Sequence, residues 1–412
     1  MNDGQHHRNV CGVHESSAPS DALEHRSELL GAVRVSVVRC HSYEAPALQE
    51  ALHTLLEPLG GIGNFVRPGQ RVLLKPNLIH PHNSLRGSCT HPSLVAEVAR
   101  MALQAGARVV VGDSPGYHSA SAVARKSGLL NLLSHLHVPL VEFTEQVAVP
   151  RDPRDVFRDL RLAREVVEAD VLINLPKLKT HSQMLLTLAV KNLFGCVVGT
   201  RKAQWHLAAG RDRDLFAQML LEVYLAARPA LNILDGIVAM EGDGPTNGTP
   251  RQMNLLAAST DGIALDAVVA TLVGVPPEDL ATLRAAHTRG VGQTDLSRID
   301  LCGSSIAEIA VTDFRIPSAS GAVEFGPKFL QRWLKNVLTP RPGVNESLCE
   351  GCGICAKVCP ARCISLHETP AHIDIDTASC IRCFCCQEMC PKGAVNIERG
   401  RFLKWLAARR RR

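Results

Sequence analysis

Between residues 32 and 316, short aliphatic and β-branched runs alternate with longer stretches whose apolar positions recur every three or four residues. The first pattern reads as buried strand and the second as amphipathic helix. Strands are expected at Val33 to Val38, Arg71 to Lys75, Arg108 to Gly112, Val138 to Phe143, Val171 to Leu175 and Leu231 to Asp235. Helices are expected at Ala47 to Leu56, Leu94 to Gln104, Ala120 to Ser134, Asp214 to Ala226 and Gly262 to Leu272. The strands are apolar almost throughout instead of alternating, which is what a parallel sheet covered on both faces requires. The expectation is an α/β domain built on a mostly parallel, doubly wound sheet.

Residues 317–347 break this rhythm. Pro317, Gly321, Gly326, Pro327, Pro340, Pro342 and Gly343 surround one amphipathic stretch at Phe329 to Val337, so the segment reads as a linker with a short helix. Residues 348–398 follow as a small α+β module, and 399–412 as a basic tail ending in four arginines. Residues 1–31, rich in histidine, serine and small polar types, read as a floppy leader that lacks the apolar heart of a secretory signal.

Composition narrows the class. The formal charge of +5 includes the terminal Arg409 to Arg412; without them the balance is +1. A whole-chain nucleic-acid surface is therefore not expected. The longest unbroken apolar run, Val223 to Ala227, is five residues, far short of the roughly 18 a transmembrane helix needs. Ten of the fifteen cysteines fall between Cys349 and Cys390. A secreted disulfide framework would spread its pairs, so a local cluster points to metal and to a cytoplasmic protein.

The cluster is ordered. Cys349, Cys352, Cys355 and Cys359-Pro360 recur 31 residues later as Cys380, Cys383, Cys386 and Cys390-Pro391. The spacing resembles the bacterial two-cluster ferredoxin run, in which the fourth cysteine of each set ligates the other cluster. That resemblance implies two [4Fe–4S] clusters, one held by Cys349, Cys352, Cys355 and Cys390, the other by Cys380, Cys383, Cys386 and Cys359. A pair of zinc sites is the alternative, although zinc sites usually join two Cys-x-x-Cys elements across longer gaps. Cys363 and Cys385 stand outside the repeat and are expected as packed thiols.

In the α/β region the expected strands end in polar clusters, and ligands of parallel sheets bind beyond the carboxyl ends of strands. Lys75 and Asn77 follow one strand, Asp113 and Ser114 a second, Lys177, Lys179 and His181 a third, and Asp235 a fourth. With Lys191 and the glycine-rich turns, these residues suit an anion such as a phosphate or carboxylate. Neither a Gly-x-Gly-x-x-Gly nor a P-loop accompanies them. His181 is best placed for proton transfer, with Asp235, His91 and Asp266 as weaker candidates.

Taken together, Lys75-Pro76-Asn77, Thr90-His91-Pro92, Gly112-Asp113-Ser114-Pro115-Gly116, Pro176-Lys177-Leu178-Lys179-Thr180-His181 and Lys191-Asn192-Leu193-Phe194-Gly195 resemble the domain-of-unknown-function-362 family. Asp235-Gly236, Ala258-Ser259-Thr260-Asp261 and Leu265-Asp266-Ala267 extend the likeness, which covers roughly residues 33 to 303. The resemblance implies a redox-linked protein with a C-terminal ferredoxin module, and brings no list of catalytic residues. Cys196 departs from the small or apolar residue common at that position.

The leading expectation is an oxidoreductase that passes electrons from two [4Fe–4S] clusters to an anionic small molecule, fed by a ferredoxin, flavodoxin or reductase partner. Two alternatives stand beside it: an electron-transfer subunit that docks on a partner enzyme, and a non-redox binding protein with structural or sensory clusters. If the electrons are used in the α/β domain, the module should sit over the strand ends.

Overall fold

The computed structural model describes residues 33–81, 86–199, 201–317, 340–369 and 371–398. The expected leader, the Phe329 to Val337 helix and the arginine tail lie outside these residues.

In chain order the strands of the large domain are β1 (Val33–Arg39), β2 (Arg71–Pro76), β3 (Arg108–Asp113), β4 (Leu140–Glu142), β5 (Gln146–Ala148), β6 (Arg161–Ala163), β7 (Val171–Leu175), β8 (Lys177–His181), β9 (Leu185–Thr187), β10 (Leu231–Glu241), β11 (Thr249–Ser259) and β12 (Ile299–Gly303). The main sheet has the order β12-β1-β11-β10-β7-β2-β3-β4, and β8 and β9 attach beside β10. β11 runs antiparallel to both β1 and β10, while β12–β1, β10–β7, β7–β2, β2–β3 and β3–β4 are parallel pairs. The sheet is mostly parallel, as the apolar strands require, with β11 reversed inside it and β9 antiparallel to β8 at its side.

Two differences from the expected elements have local causes. The helix expected at Ala120 to Ser134 is two, Ala120–Ser127 and Leu129–His135, parted at Gly128 with φ +86°. β10 continues six residues beyond Asp235 to Glu241 and then turns back into β11. β11 opens Thr-Pro-Arg-Gln, so its first half carries no apolar pattern to reveal it.

Alternate residues of each central strand feed opposite cores. Leu73, Leu172, Leu234, Leu255 and Ala257 enter one core with the helices Arg213–Ala227 and Gly262–Leu272. Val72, Leu74, Ile173, Ile233, Leu256 and Ala258 enter the other with Ala45–Leu56 and Pro92–Gln104. The sheet is buried on both sides because successive side chains point to opposite faces.

The cysteine module is framed by two ribbons, β13 (Arg341–Val344) with β16 (Val395–Glu398), and β14 (Ile364–Glu368) with β15 (Ala371–Ile375). β13 falls within the stretch expected as linker. The 31-residue repeat persists in the backbone: Gly351 and Arg382, Gly353 and Phe384, and Arg362 and Gly393 all have positive φ. Arginine and phenylalanine hold a left-handed conformation that costs them about 1–2 kcal/mol each, so the loop shape, not residue preference, is what the duplication keeps.

A chain of buried amides crosses the sheet toward the strand ends. Asn232 Nδ2 donates to Ser259 O (3.2 Å), Asn174 Nδ2 to Asn232 Oδ1 (2.9 Å), Asn192 Nδ2 to Asn174 Oδ1 (2.8 Å) and Asn77 Nδ2 to Asn192 Oδ1 (2.8 Å). Lys179 Nζ then donates to Asn77 Oδ1 at 2.7 Å. Asn192→Leu would leave one donor and one acceptor buried without partners, each costing about 1–3 kcal/mol. Chemical denaturation of this variant is expected to show a loss of about 2–6 kcal/mol, and an unchanged midpoint would mean the chain carries no stability.

Candidate functional site

The strand ends open into a cavity of about 290 Å³. β2 brings Lys75 and, just beyond it, Asn77; β3 brings Asp113 and Ser114; β8 brings Lys179 and His181. The short helix Ala189–Asn192 adds Lys191, and the helix Arg201–Ala209 adds Lys202 and His206. Asp266 holds the first of these helices in place, its carboxylate accepting from Ala189 N (2.7 Å) and Val190 N (3.1 Å).

The module forms the opposite wall, through Lys357, Val358, Cys385, Glu388 and Met389. Polar contacts fix it there. Arg211 donates to Cys380 O (2.8 Å) and Ala378 O (3.0 Å), Gln387 Nε2 to Asp243 O (3.1 Å), and Ser182 Oγ to Gln387 Oε1 (2.7 Å). The placement over the strand ends matches the arrangement expected if the two parts share a ligand.

Four lysines of the α/β domain, Lys357 of the module and two carboxylates, Asp113 and Glu388, face the cavity. Lys75 is ion-paired with Asp113 at 2.8 Å, and a Cβ on Gly195 would run into both groups, so only glycine lets the loop lie against them. Lys179 is held by Asn77 and by Ser88 O (2.6 Å), and Lys202 by Ser114 O. Burial pulls Lys179 and Lys202 each down to about 8.

Lys191 differs. Among the described residues no acceptor or carboxylate pairs with its ammonium, which lies over the rings of Phe194 (5.7 Å) and Phe216 (5.3 Å). Burial lowers its pKa, opposed by the charge of Glu388. Beside it, His206 Nδ1 and Thr187 Oγ1 are buried without hydrogen-bond partners. Lys191, His206 and Thr187 all line the cavity, so it combines a cation that has no acceptor with two unsatisfied polar groups.

His181 lies in the wall with both ring nitrogens engaged. Nδ1 accepts from Gln183 N (3.1 Å), and Nε2 lies 2.9 Å from Glu388 Oε1. Burial, aided by Lys191, lowers its pKa to about 4, so the ring is neutral at pH 7. For Glu388, burial would raise the pKa, yet the His181 hydrogen bond and nearby positive charge bring it to about 2. The pair is a strut between the two domains.

Lys177 and Asp235 are brought together but outside the cavity wall. Their side chains pair at 2.7 Å, Tyr43 OH donates to Asp235 Oδ1 (2.6 Å), and His91 N–H donates to Asp235 Oδ2 (2.8 Å). This second buried cluster ties β8, β10 and the start of the Pro92–Gln104 helix together. Sequence reasoning does not reach Lys202, His206, Thr187 or Glu388. Its one available signal was the i, i+4 spacing that puts Lys202 and His206 on one helix face.

The eight repeat cysteines gather around two hollows. Cys349, Cys352, Cys355 and Cys390 line one; Cys359, Cys380, Cys383 and Cys386 line the other, with Cys363 and Cys385. Backbone N–H groups point at ligand-type sulfurs, from Cys363 to Cys359 Sγ (3.4 Å), Arg382 to Cys380 Sγ (3.4 Å) and Ala394 to Cys390 Sγ (3.2 Å). Four thiols around each hollow, with backbone hydrogen bonds donated to at least one of them, fit a [4Fe–4S] cluster. Cys196 is buried beside the Lys75–Asp113 pair, its thiol pushed up by burial to about 12, which makes it inert.

Fold and site define an α/β domain with a cationic strand-end cavity, closed by an iron–sulfur module of the ferredoxin type. Residues 72–271 match the family described as a domain of unknown function, DUF362, and residues 348–394 match the 4Fe-4S dicluster domain. A thylakoid-associated protein, sll1697, of Synechocystis is 45% identical over 303 residues, 73% of this chain and 94% of that protein. The chain belongs to the DUF362 family. The module is similar to NADH-quinone oxidoreductase subunit I of Pelobacter propionicus, 34% identical over 76 residues, 16% of this chain and 40% of that protein. Among solved structures, the lactate racemase apoprotein of Thermoanaerobacterium thermosaccharolyticum is similar at 13% identity and a TM-score of 0.38, over 57% of this chain and 56% of that one. Among the described residues, no helix is long and apolar enough to cross a membrane.

His91, in the second buried cluster with Lys177 and Asp235, gives the fold a pH dependence. It caps the Pro92–Gln104 helix by accepting from Ser93 N (3.2 Å) through Nδ1, so its ring must be unprotonated. Burial, with help from Lys177, lowers its pKa from 6.5 to about 4. A lowered folded pKa means stability present above pH 6.5 and lost as pH falls toward 4, on the order of 3 kcal/mol. His91→Asn keeps a capping acceptor that does not titrate. Denaturation between pH 7 and 4 should show a shallower acid slope for the variant, and parallel curves would remove His91 from the account.

Proposed function

We propose that the protein is an iron–sulfur oxidoreductase that reduces an anionic small molecule bound in the strand-end cavity. The observation that carries this reading is the shared wall, with lysines of the α/β domain on one side and Cys385, Glu388 and Met389 of the module on the other. Cys349, Cys352, Cys355 and Cys390 would hold one [4Fe–4S] cluster, and Cys380, Cys383, Cys386 and Cys359 the second. When bound, the clusters supply single electrons at low potential. A one-electron partner of the ferredoxin, flavodoxin or reductase class would reload them in the cytoplasm.

The residues of the chain do the rest. Lys191 binds the negative group of the substrate, and His206 Nδ1 and Thr187 Oγ1 orient it. The module excludes water, which strengthens each of these interactions. With both nitrogens of His181 engaged, proton delivery passes to Lys191 Nζ, whose lowered pKa makes the ammonium a readier donor. Lys177 and Asp235 hold the scaffold.

Two outcomes follow from the cysteine sets. Anaerobically prepared protein should contain close to eight iron and eight acid-labile sulfide, and Cys385→Ser should retain them while Cys383→Ser loses at least one cluster. Two zinc per chain, with no absorption near 400 nm, would contradict the assignment. For the cavity, Lys191→Met should weaken binding of small carboxylates and inorganic phosphate by roughly 1.5–3 kcal/mol. Calorimetric titration of the holoprotein tests this, and wild-type affinity in the variant would overturn the anion site.

A further inference from the structure

The two cysteine sets are duplicates in sequence but not in surroundings. Among the described residues, the hollow lined by Cys359, Cys380, Cys383 and Cys386 shares a wall residue with the cavity, and that residue is Cys385. The hollow lined by Cys349, Cys352, Cys355 and Cys390 shares none. Burial leans the same way. Cys380, Cys383 and Cys386 of the inner set are buried and Cys359 is half-buried, whereas in the outer set only Cys355 is buried, Cys349 and Cys390 are half-buried and Cys352 is exposed. The mouth of the outer hollow holds an exposed Leu348 and the solvent-facing pair Lys392–Glu350.

We propose, building on the oxidoreductase reading, that the two sets have fixed and opposite roles. The Cys349 set faces the exterior and accepts electrons from a protein donor; the Cys380 set delivers them to whatever is bound in the cavity. Each electron taken up oxidises one donor molecule, and each one delivered reduces the bound acceptor by one unit, so two passages complete a two-electron reduction. The polarity arises because the polar docking contacts come from the second repeat, while the first repeat adds only Lys357 and Val358 to the cavity wall. Arg211 grips the carbonyls of Ala378 and Cys380, which belong to the second repeat, and Gln387 and Glu388 of that same repeat carry the remaining contacts described above. Cys385 is then the thin partition between the inner set and the substrate, and its counterpart in the first repeat is Ile354.

Charge gives a test that needs no substrate. A nearby positive charge favours the reduced, more negative state of a cluster, so removing it lowers that cluster's potential. Lys191 and Cys385 line the same cavity, and Lys392 lines the outer hollow. Lys191→Met and Lys392→Met should each lower one midpoint potential, and not the same one, when the holoprotein is titrated anaerobically and followed by electron paramagnetic resonance. Lys392 is half exposed and its effect should be the smaller. If both variants move one and the same couple, or if Lys191→Met moves both or neither, the assignment of roles is wrong. Both variants keep all ten cysteines of the module, so loss of a cluster does not intrude. Failure of this test would leave anion binding at Lys191 intact, and failure of anion binding would leave the titration readable.

Discussion

Holding lysine ammonium groups away from water at the end of a sheet is the constraint from which the rest of this site follows. Each such burial costs several kcal/mol unless hydrogen bonds or an opposite charge compensate. The protein answers differently for each lysine. Lys177 has Asp235 and Tyr43, Lys75 has Asp113, and Lys179 has Asn77 at the end of an amide chain that reaches back to Ser259. Lys202 has a carbonyl, and Lys191 has only aromatic rings. A cation that the fold leaves without an acceptor, in a cavity beside two unsatisfied polar atoms, is a cost a ligand is suited to relieve.

The same logic explains why the module must be docked. Without Glu388, Met389 and Cys385 above it, the cavity would be an open cleft and its lysines would be hydrated. The docking contacts are polar and directional: Arg211 donates to main-chain carbonyls, Gln387 donates to Asp243 O, and the Ser182 hydroxyl donates to Gln387. Contacts of this kind fix orientation more than they add affinity. The neutral imidazole of His181 against the carboxylate of Glu388 closes the seam without adding another buried positive charge.

Much of this was legible in the chain. The parallel strands stood out because burial on both faces leaves unbroken aliphatic runs, and the Gly262–Leu272 helix falls where its periodicity put it. The cysteine repeat was visible as a spacing, and it reappears as two hollows and as three paired left-handed positions. Other features were hidden for physical reasons. β11 starts polar and with a proline, and β8 follows Pro176 directly and carries two lysines, so neither resembles a strand. Lys177 and Asp235 have the right residue types for chemistry, but which of several strand-end lysines faces a cavity depends on three-dimensional pairing that spacing does not encode. Glu388 lies more than 200 residues from His181, and only the docked module brings them together.

The central claim is that the cavity under the module receives an anion at Lys191. Anomalous diffraction from crystals of the intact holoprotein soaked in bromide addresses it directly, since a halide reports where the interior offers an unmatched positive charge. The account predicts a bromide ion inside the cavity in contact with Lys191 Nζ. Bromide bound only to lysines and arginines on the outer surface, with the cavity free of it, would contradict the account.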